Sequence, residues 1–390
     1  MTNFESKTLK IVNRVRSEPP LLAAVITVVI YSSPAFLSII KFGHLNLPDG
    51  FTRHIVVEPV FALIAIFINF FLLIIFITAP AIKVNFNFIL INDWVRKLLI
   101  FFYWSLSLSS ILMIEVKIKY VSLILSDPLL AIVSGGLIAD EHLLLYFFLG
   151  ISGLIGFALI RKEDGFFLNF IGGLFSVLIV VFYFFLGRRE VAIMSICFLL
   201  LAKGKGISKV KWLLLGVSSL VIVVFIMSLR IGDEGKKIYD LNSEELSPVS
   251  YSSYIIQQNE LYNPLRGITE ATILRPFLFN KSSIAVQYFK NEVGDPAATP
   301  VIGIAGITYM YGFIVPFINV FILGVLFRTV SVSFNKSKSP WLKIFLIYLT
   351  FKAFNLFRNG EFSILSLDIL MFTILMIPAL MFKFEKRSAT

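Results

Sequence analysis

The chain has 390 residues, 57% of them hydrophobic and only 15% charged, with a mean hydropathy of +0.87 and a net charge of +11. Soluble globular chains are about 45–50% apolar and about 25% charged, so a soluble enzyme and a disordered chain are both excluded. At about 20 residues per crossing this length holds roughly ten transmembrane helices and little else, which makes one membrane domain.

In chain order the apolar segments are 21–40, 55–79, 98–114, 143–160, 166–186, 190–202, 212–229, 301–326, 341–357 and 362–382. Each is apolar all round, without the alternation of a barrel strand, so helices are expected throughout. The expected fold is an all-α polytopic membrane protein. Seven spans lie in 1–229, a large extracytoplasmic loop occupies 230–300, and three spans lie in 301–390. The first run is too long for a signal-peptide core and has no small-residue cleavage site after it.

Lys and Arg collect on the cytoplasmic side of membrane proteins. With the N-terminus inside, the inward segments carry Lys7, Lys10, Arg14 and Arg16; Lys83, Arg96 and Lys97; Arg161 and Lys162; Lys203, Lys205, Lys209 and Lys211; Arg328, Lys336, Lys338 and Lys343; and Lys383, Lys386 and Arg387. Each of the three short outward loops before residue 200 holds two bases: Lys41 and Arg53, Lys117 and Lys119, Arg188 and Arg189. Both termini are therefore expected in the cytoplasm and loop 230–300 outside. These orientation signals account for much of the positive charge. Nucleic acid is not an expected partner, because no basic stretch is interleaved with aromatics.

Loop 230–300 begins polar, with Arg230, Asp233, Glu234, Lys236 and Lys237, and turns amphipathic through 251–289, interrupted by Pro264 and Pro276. Short helices lying at the outer interface, partly re-entrant, are expected there. Arginines gather on the expected outer side: Arg188 and Arg189 between spans five and six, Arg230 after span seven, Arg266 and Arg275 in the loop, and Arg358 after span nine. An arginine fork fits a phosphate bidentately and keeps its charge. The alternatives are interfacial anchors and ion pairs. Acids accompany these bases: Glu190, Glu361, Glu58, Glu260 and Glu270. Lys352 and Asp368 lie at matching depth in the hairpin of spans nine and ten, which fits a salt bridge. Tyr251, Tyr254 and Tyr262 suit either sugar stacking or an interfacial aromatic belt.

Other chemistries lack their residues. His44, His54 and His142 fall in separate loops, Cys197 is the only cysteine, and Asp-x-Asp, P-loop and Gly-x-Ser-x-Gly patterns do not occur. No metal or cofactor is expected.

Gly187-Arg188-Arg189-Glu190, running into VAIMSICFLLL, resembles the Gly-x-Arg turn of bacterial polysaccharide repeat-unit polymerases of the Wzy type. The stretch from Gly303 to Gly312 resembles that family's glycine- and aromatic-rich span after the large loop. The number of spans, the late outward loop and the outward arginines resemble the same family along nearly the whole chain. The resemblance implies a metal-independent, inverting C-type glycosyltransferase of the bacterial inner membrane that builds O-antigen or capsule. It would move a growing glycan from undecaprenyl pyrophosphate onto the non-reducing end of a new lipid-linked repeat unit. A chain-length regulator and membrane lipid are the further partners it implies. A pyrophosphate leaving group needs its charge neutralised, which Arg188, Arg189, Arg230, Arg266, Arg275 and Arg358 can do. The attacking hydroxyl needs a base, for which Glu270 ranks first, then Glu260 and Glu190. A lipid-linked oligosaccharide flippase, an outer-leaflet ligase and a membrane scaffold are the rival readings.

Overall fold

The computed structural model describes residues 13–15, 17–46, 56–83, 89–127, 149–150, 152–185, 248–261, 302–337, 340–360 and 382–384. Of these, 84% are helical. The expected spans 190–202 and 212–229, and residues 362–381 of the last one, lie outside the described residues. The chain divides into two compact units. The first comprises Met1–Val84, Tyr239–Lys336 and Tyr348–Asp368; the second comprises Asn85–Ile238, Ser337–Ile347 and Ile369–Thr390.

In the first unit, α1 (Pro19–Phe42) opens on two prolines, whose missing N–H groups cost nothing in the first turn. It stops at Gly43, which takes the left-handed conformation (φ 72°) and donates its N–H to Ile39 O at 2.9 Å. A short antiparallel pair, β1 (Leu45–Asn46) with β2 (Val56–Val57), leads into α2 (Pro59–Thr78). The two helices therefore form an antiparallel hairpin.

Against this hairpin packs α7 (Pro248–Gln257), the described part of the large loop. Its last residue meets the start of α2: Glu58 N–H donates to Gln257 Oε1 at 2.9 Å. Eight of its ten residues are buried, so it is an inserted core helix and not one lying at an interface with its polar face in water. Asn259 ends it with φ 55°. The N–H groups of Asn259 and Glu260 donate to Ile256 O and Ile255 O, a Schellman cap with asparagine in the glycine position.

The expected span 301–326 is two helices. First comes α8 (Ile304–Met310), which runs beside α7 in the same direction. Gly303 lies against Pro248, Gly306 N–H donates to Ser252 Oγ at 3.0 Å, and Tyr309 OH donates to Asn259 Oδ1 at 2.6 Å. The chain reverses at Gly312 (φ 71°). Then α9 (Ile314–Ser337) runs back along α2, with Phe317 on Phe71 at 5.2 Å and Phe327 on Phe76 at 5.6 Å. At the far end Arg328 donates to Ala79 O and pairs with Glu18 at 3.3 Å. Burial holds the Glu18 carboxyl above the usual carboxylate range, and Arg328 pulls the other way without cancelling it.

In the second unit, β3 (Ile89–Ile91) leads into α3 (Asp93–Ile118), capped by Asn92 Oδ1 accepting from Val95 N–H at 3.0 Å. Lys119 (φ 49°) separates it from α4 (Tyr120–Ser126), whose first N–H groups are taken up by Glu115. Antiparallel to α3 runs α5 (Ser152–Leu159): Arg96 donates to Leu159 O, Ser152 to Tyr103 O and Ser107 to Gly150 O. A one-turn 3₁₀ segment (Lys162–Asp164) then leads to α6 (Phe166–Phe185). The last strand, β4 (Phe382–Phe384), pairs in parallel with β3, so residue 382, the last of the expected span 362–382, is extended chain. Completing the described helices is α10 (Pro340–Asn359), whose residues up to Ile347 belong to the second unit and whose residues from Tyr348 on belong to the first. Among the described residues four helices, α1, α2, α3 and α9, are long and apolar enough to cross a membrane.

Candidate functional site

Seven of the nine residues singled out by sequence, Arg188, Arg189, Glu190, Arg230, Arg266, Glu270 and Arg275, lie outside the described residues, as do Tyr262 and Asp368. Arg358 and Glu260 are described. They sit at different heights in the first unit. Glu260 follows the cap of α7, at the end where Gln257 meets Glu58. Arg358 lies in the last turn of α10, and its guanidinium carbon is 5.9 Å from the ring centroids of both Tyr31 and Phe354. Tyr31 is twelve residues before Gly43, about 18 Å down α1 from the Glu58 end. The end of α10 therefore lies well away from the Glu58 end of the first unit. The turn after it is buried: Gly360 (φ 65°) faces Ile302, Gly303 and Ile307.

Three helix ends meet at this height. They are the start of α7 at Pro248, the start of α8 beside Gly303, and the end of α10 at Asn359–Gly360. Gly303 and Gly360 make the close approach possible, since a Cβ on either would press on backbone oxygens: Pro248 O at 3.0 Å for Gly303, and Gly303 O at 3.3 Å for Gly360. Polar side chains lie close to the junction along α8 and α10. Thr308 Oγ1, Asn355 Oδ1 and Asn359 Oδ1 are closed off from solvent and have no hydrogen-bond partner among the described residues. The same holds for Ser32 Oγ, next to Tyr31, and Asn69 Oδ1. Ser32 lies eleven residues before Gly43 and Asn69 eleven after Glu58, so the α1–α2 hairpin sets both at one depth, about 16 Å down. Pro34 adds another acceptor there, because Ile30 O loses its usual helical donor.

Interior polar groups in a membrane-spanning bundle are tolerated where they line a cavity or meet a ligand, and discontinuous helices that end inside it mark such places. The arrangement can hold an anion at Arg358 and a hydrogen-bonding neutral group beside it. The sequence marked Arg358 but not Tyr31, Ser32, Asn69, Thr308, Asn355 or Asn359. Its available signal was two asparagines inside apolar runs, Asn69 and Asn355, which carry no charge and so escape a search for ionisable groups.

Comparison of the chain with protein-family profiles, with curated proteins and with solved structures gives no match. What the described residues define is a mostly helical membrane protein, with four helices among them fit to cross a membrane and an interior polar junction in its first unit.

Proposed function

We propose that the chain is a membrane glycosyltransferase that polymerises undecaprenyl-pyrophosphate-linked repeat units at the outer leaflet, with no divalent metal. The Arg328 end of the first unit faces the cytoplasm in this reading and the Glu58–Gln257 end faces out. The observation that carries it is Arg358, a permanent cation set beside two aromatic rings where three helices end. Departure of a glycan from pyrophosphate develops negative charge on the leaving oxygens, and a fixed guanidinium in a water-poor site stabilises that charge strongly. The attacking hydroxyl and the leaving group must meet at one carbon, within about 3.5 Å. Glu260 lies on the order of 14 Å from the junction, the length of α7, which leaves Glu270 as the first choice of base.

The depth of the junction favours a second reading, movement of the lipid-linked oligosaccharide across the membrane. Purified protein in liposomes, given undecaprenyl-pyrophosphate-linked repeat units and excess chelator, separates the two. Longer glycans are expected, with Arg358→Lys reducing and Arg358→Ala abolishing them. Unchanged glycan length together with protein-dependent transfer of the substrate to the opposite leaflet would replace polymerisation by transport. Wild-type product from Arg358→Ala would remove Arg358 from the site.

A further inference from the structure

We propose that Thr308, Asn355 and Asn359 form a subsite for the hydroxyl groups of the sugar attached to the pyrophosphate, and so select which sugar is accepted. This rests on the glycosyl-pyrophosphate reading of Arg358. Thr308 and Asn355 are 0% and 3% exposed, and each presents an oxygen without a partner among the described residues. Asn355 and Asn359 are four residues apart on α10 and share one face of it. Thr308 follows Ile307, against which Gly360 is packed, so the set belongs to one junction.

The chemistry of the set narrows the occupant. The two amide oxygens accept hydrogen bonds and the Thr308 hydroxyl either accepts or donates, so the group beside the asparagines must donate. A metal or ammonium ion would donate or coordinate, but Arg358, one residue from Asn359, repels cations. A bare phosphate could accept from the Thr308 hydroxyl but would leave Asn355 Oδ1 and Asn359 Oδ1 without a donor. A sugar offers several hydroxyl donors in a row, and when joined to a phosphate it matches the neutral oxygens and the guanidinium together. Ser32 and Asn69, at the same depth on the facing hairpin, extend the acceptor set.

A purely structural role makes an opposite prediction. A buried polar atom without a partner destabilises the fold, so an apolar replacement of the same shape is neutral or stabilising. The experiment uses full-length protein in lipid nanodiscs with Thr308→Val and Asn355→Leu. Its probes are undecaprenyl pyrophosphate without sugar and the same lipid bearing glucose, galactose or N-acetylglucosamine. Wild type is expected to bind at least one glycosylated probe about tenfold more tightly than the bare carrier. Each variant should lose that preference, keep the affinity for the bare carrier, and melt at the same or a higher temperature. Equal binding of all probes by wild type, equal weakening of bare and glycosylated probes, or a lowered melting temperature would overturn the sugar subsite. Failure of wild type to bind any of these lipids, with no effect of Arg358→Ala, would instead overturn the pyrophosphate reading.

Discussion

A guanidinium closed off from water has to be met on every side, and Arg96 is. Its side chain is 1% exposed and it pairs with Asp164, which is 5% exposed, and with Asp93, while also donating to Leu159 O at 2.9 Å. Burial alone would raise the Asp164 carboxyl. The Arg96 guanidinium and the Arg161 N–H outweigh it and hold the group below the usual carboxylate range. Asp164 therefore stabilises the second unit fully above the unfolded-chain value of about 3.9, and this is lost as pH falls through the lower folded value. Asp164→Asn should lower stability at pH 7 by about 3 kcal/mol, the low end for a broken buried pair because Asp93 and Leu159 O still hold Arg96. It should also flatten the acid limb of a melting-temperature profile below pH 4. An unchanged acid limb would mean that another group carries it. Arg96 and Arg328 both read in the sequence as orientation signals. Their burial was not legible there, because Asp164, which joins the nearby Asp93 on Arg96, and Glu18, which meets Arg328, stand 68 and 310 residues away along the chain.

At the scale of elements, long unbroken apolar runs translated directly: 21–40 and 55–79 became α1 and α2 with ends shifted by a few residues. The breaks did not. A hydropathy window averages over about 19 residues, and the stretch through Gly303 and Gly312 is apolar on both sides of the reversal, so it reads as one span. The loop stretch 251–289 read as interfacial because its apolar residues recur at helical spacing between polar ones. In the fold two of its serines face helices, with Ser252 accepting from Gly306 N–H and Ser253 donating to Val249 O. Glycines mark where such pieces touch, and two of them give a paired test. Gly43 and Gly360 both have left-handed backbones, which cost a residue with a Cβ about 1–2 kcal/mol. A Cβ at Gly43 meets nothing within 4 Å, whereas at Gly360 it would lie 2.6 Å from Ile307 Cγ1. Gly360→Ala should therefore lower the melting temperature clearly more than Gly43→Ala, and it should impair glycan extension as well. Equal losses would show that the junction is not tightly packed.

Over the whole molecule the clearest signal in the sequence was the sorting of Lys and Arg, and the first unit keeps it within its own frame. Arg14 stands one turn before Glu18, whose partner Arg328 also reaches Ala79, four residues before Lys83; Lys41 lies at the other end of α1. Apart from Arg358 the site was less legible, since its other members are uncharged residues that only tertiary packing brings to one depth. Which end faces the cytoplasm is a separate question, and labelling answers it. With Cys197 changed to Ser, no native thiol remains. Single cysteines can then be placed at Glu58 and at Lys83, both exposed and at opposite ends of α2. The charge rule puts Lys83 inside, because short basic segments are retained on the cytoplasmic side. A membrane-impermeant maleimide should label Glu58→Cys in intact cells and Lys83→Cys only after the membrane is opened. Labelling of Lys83→Cys alone in intact cells would invert the molecule. The Arg358 junction would then lie nearer the cytoplasmic leaflet, and polymerisation at the outer leaflet would have to be abandoned.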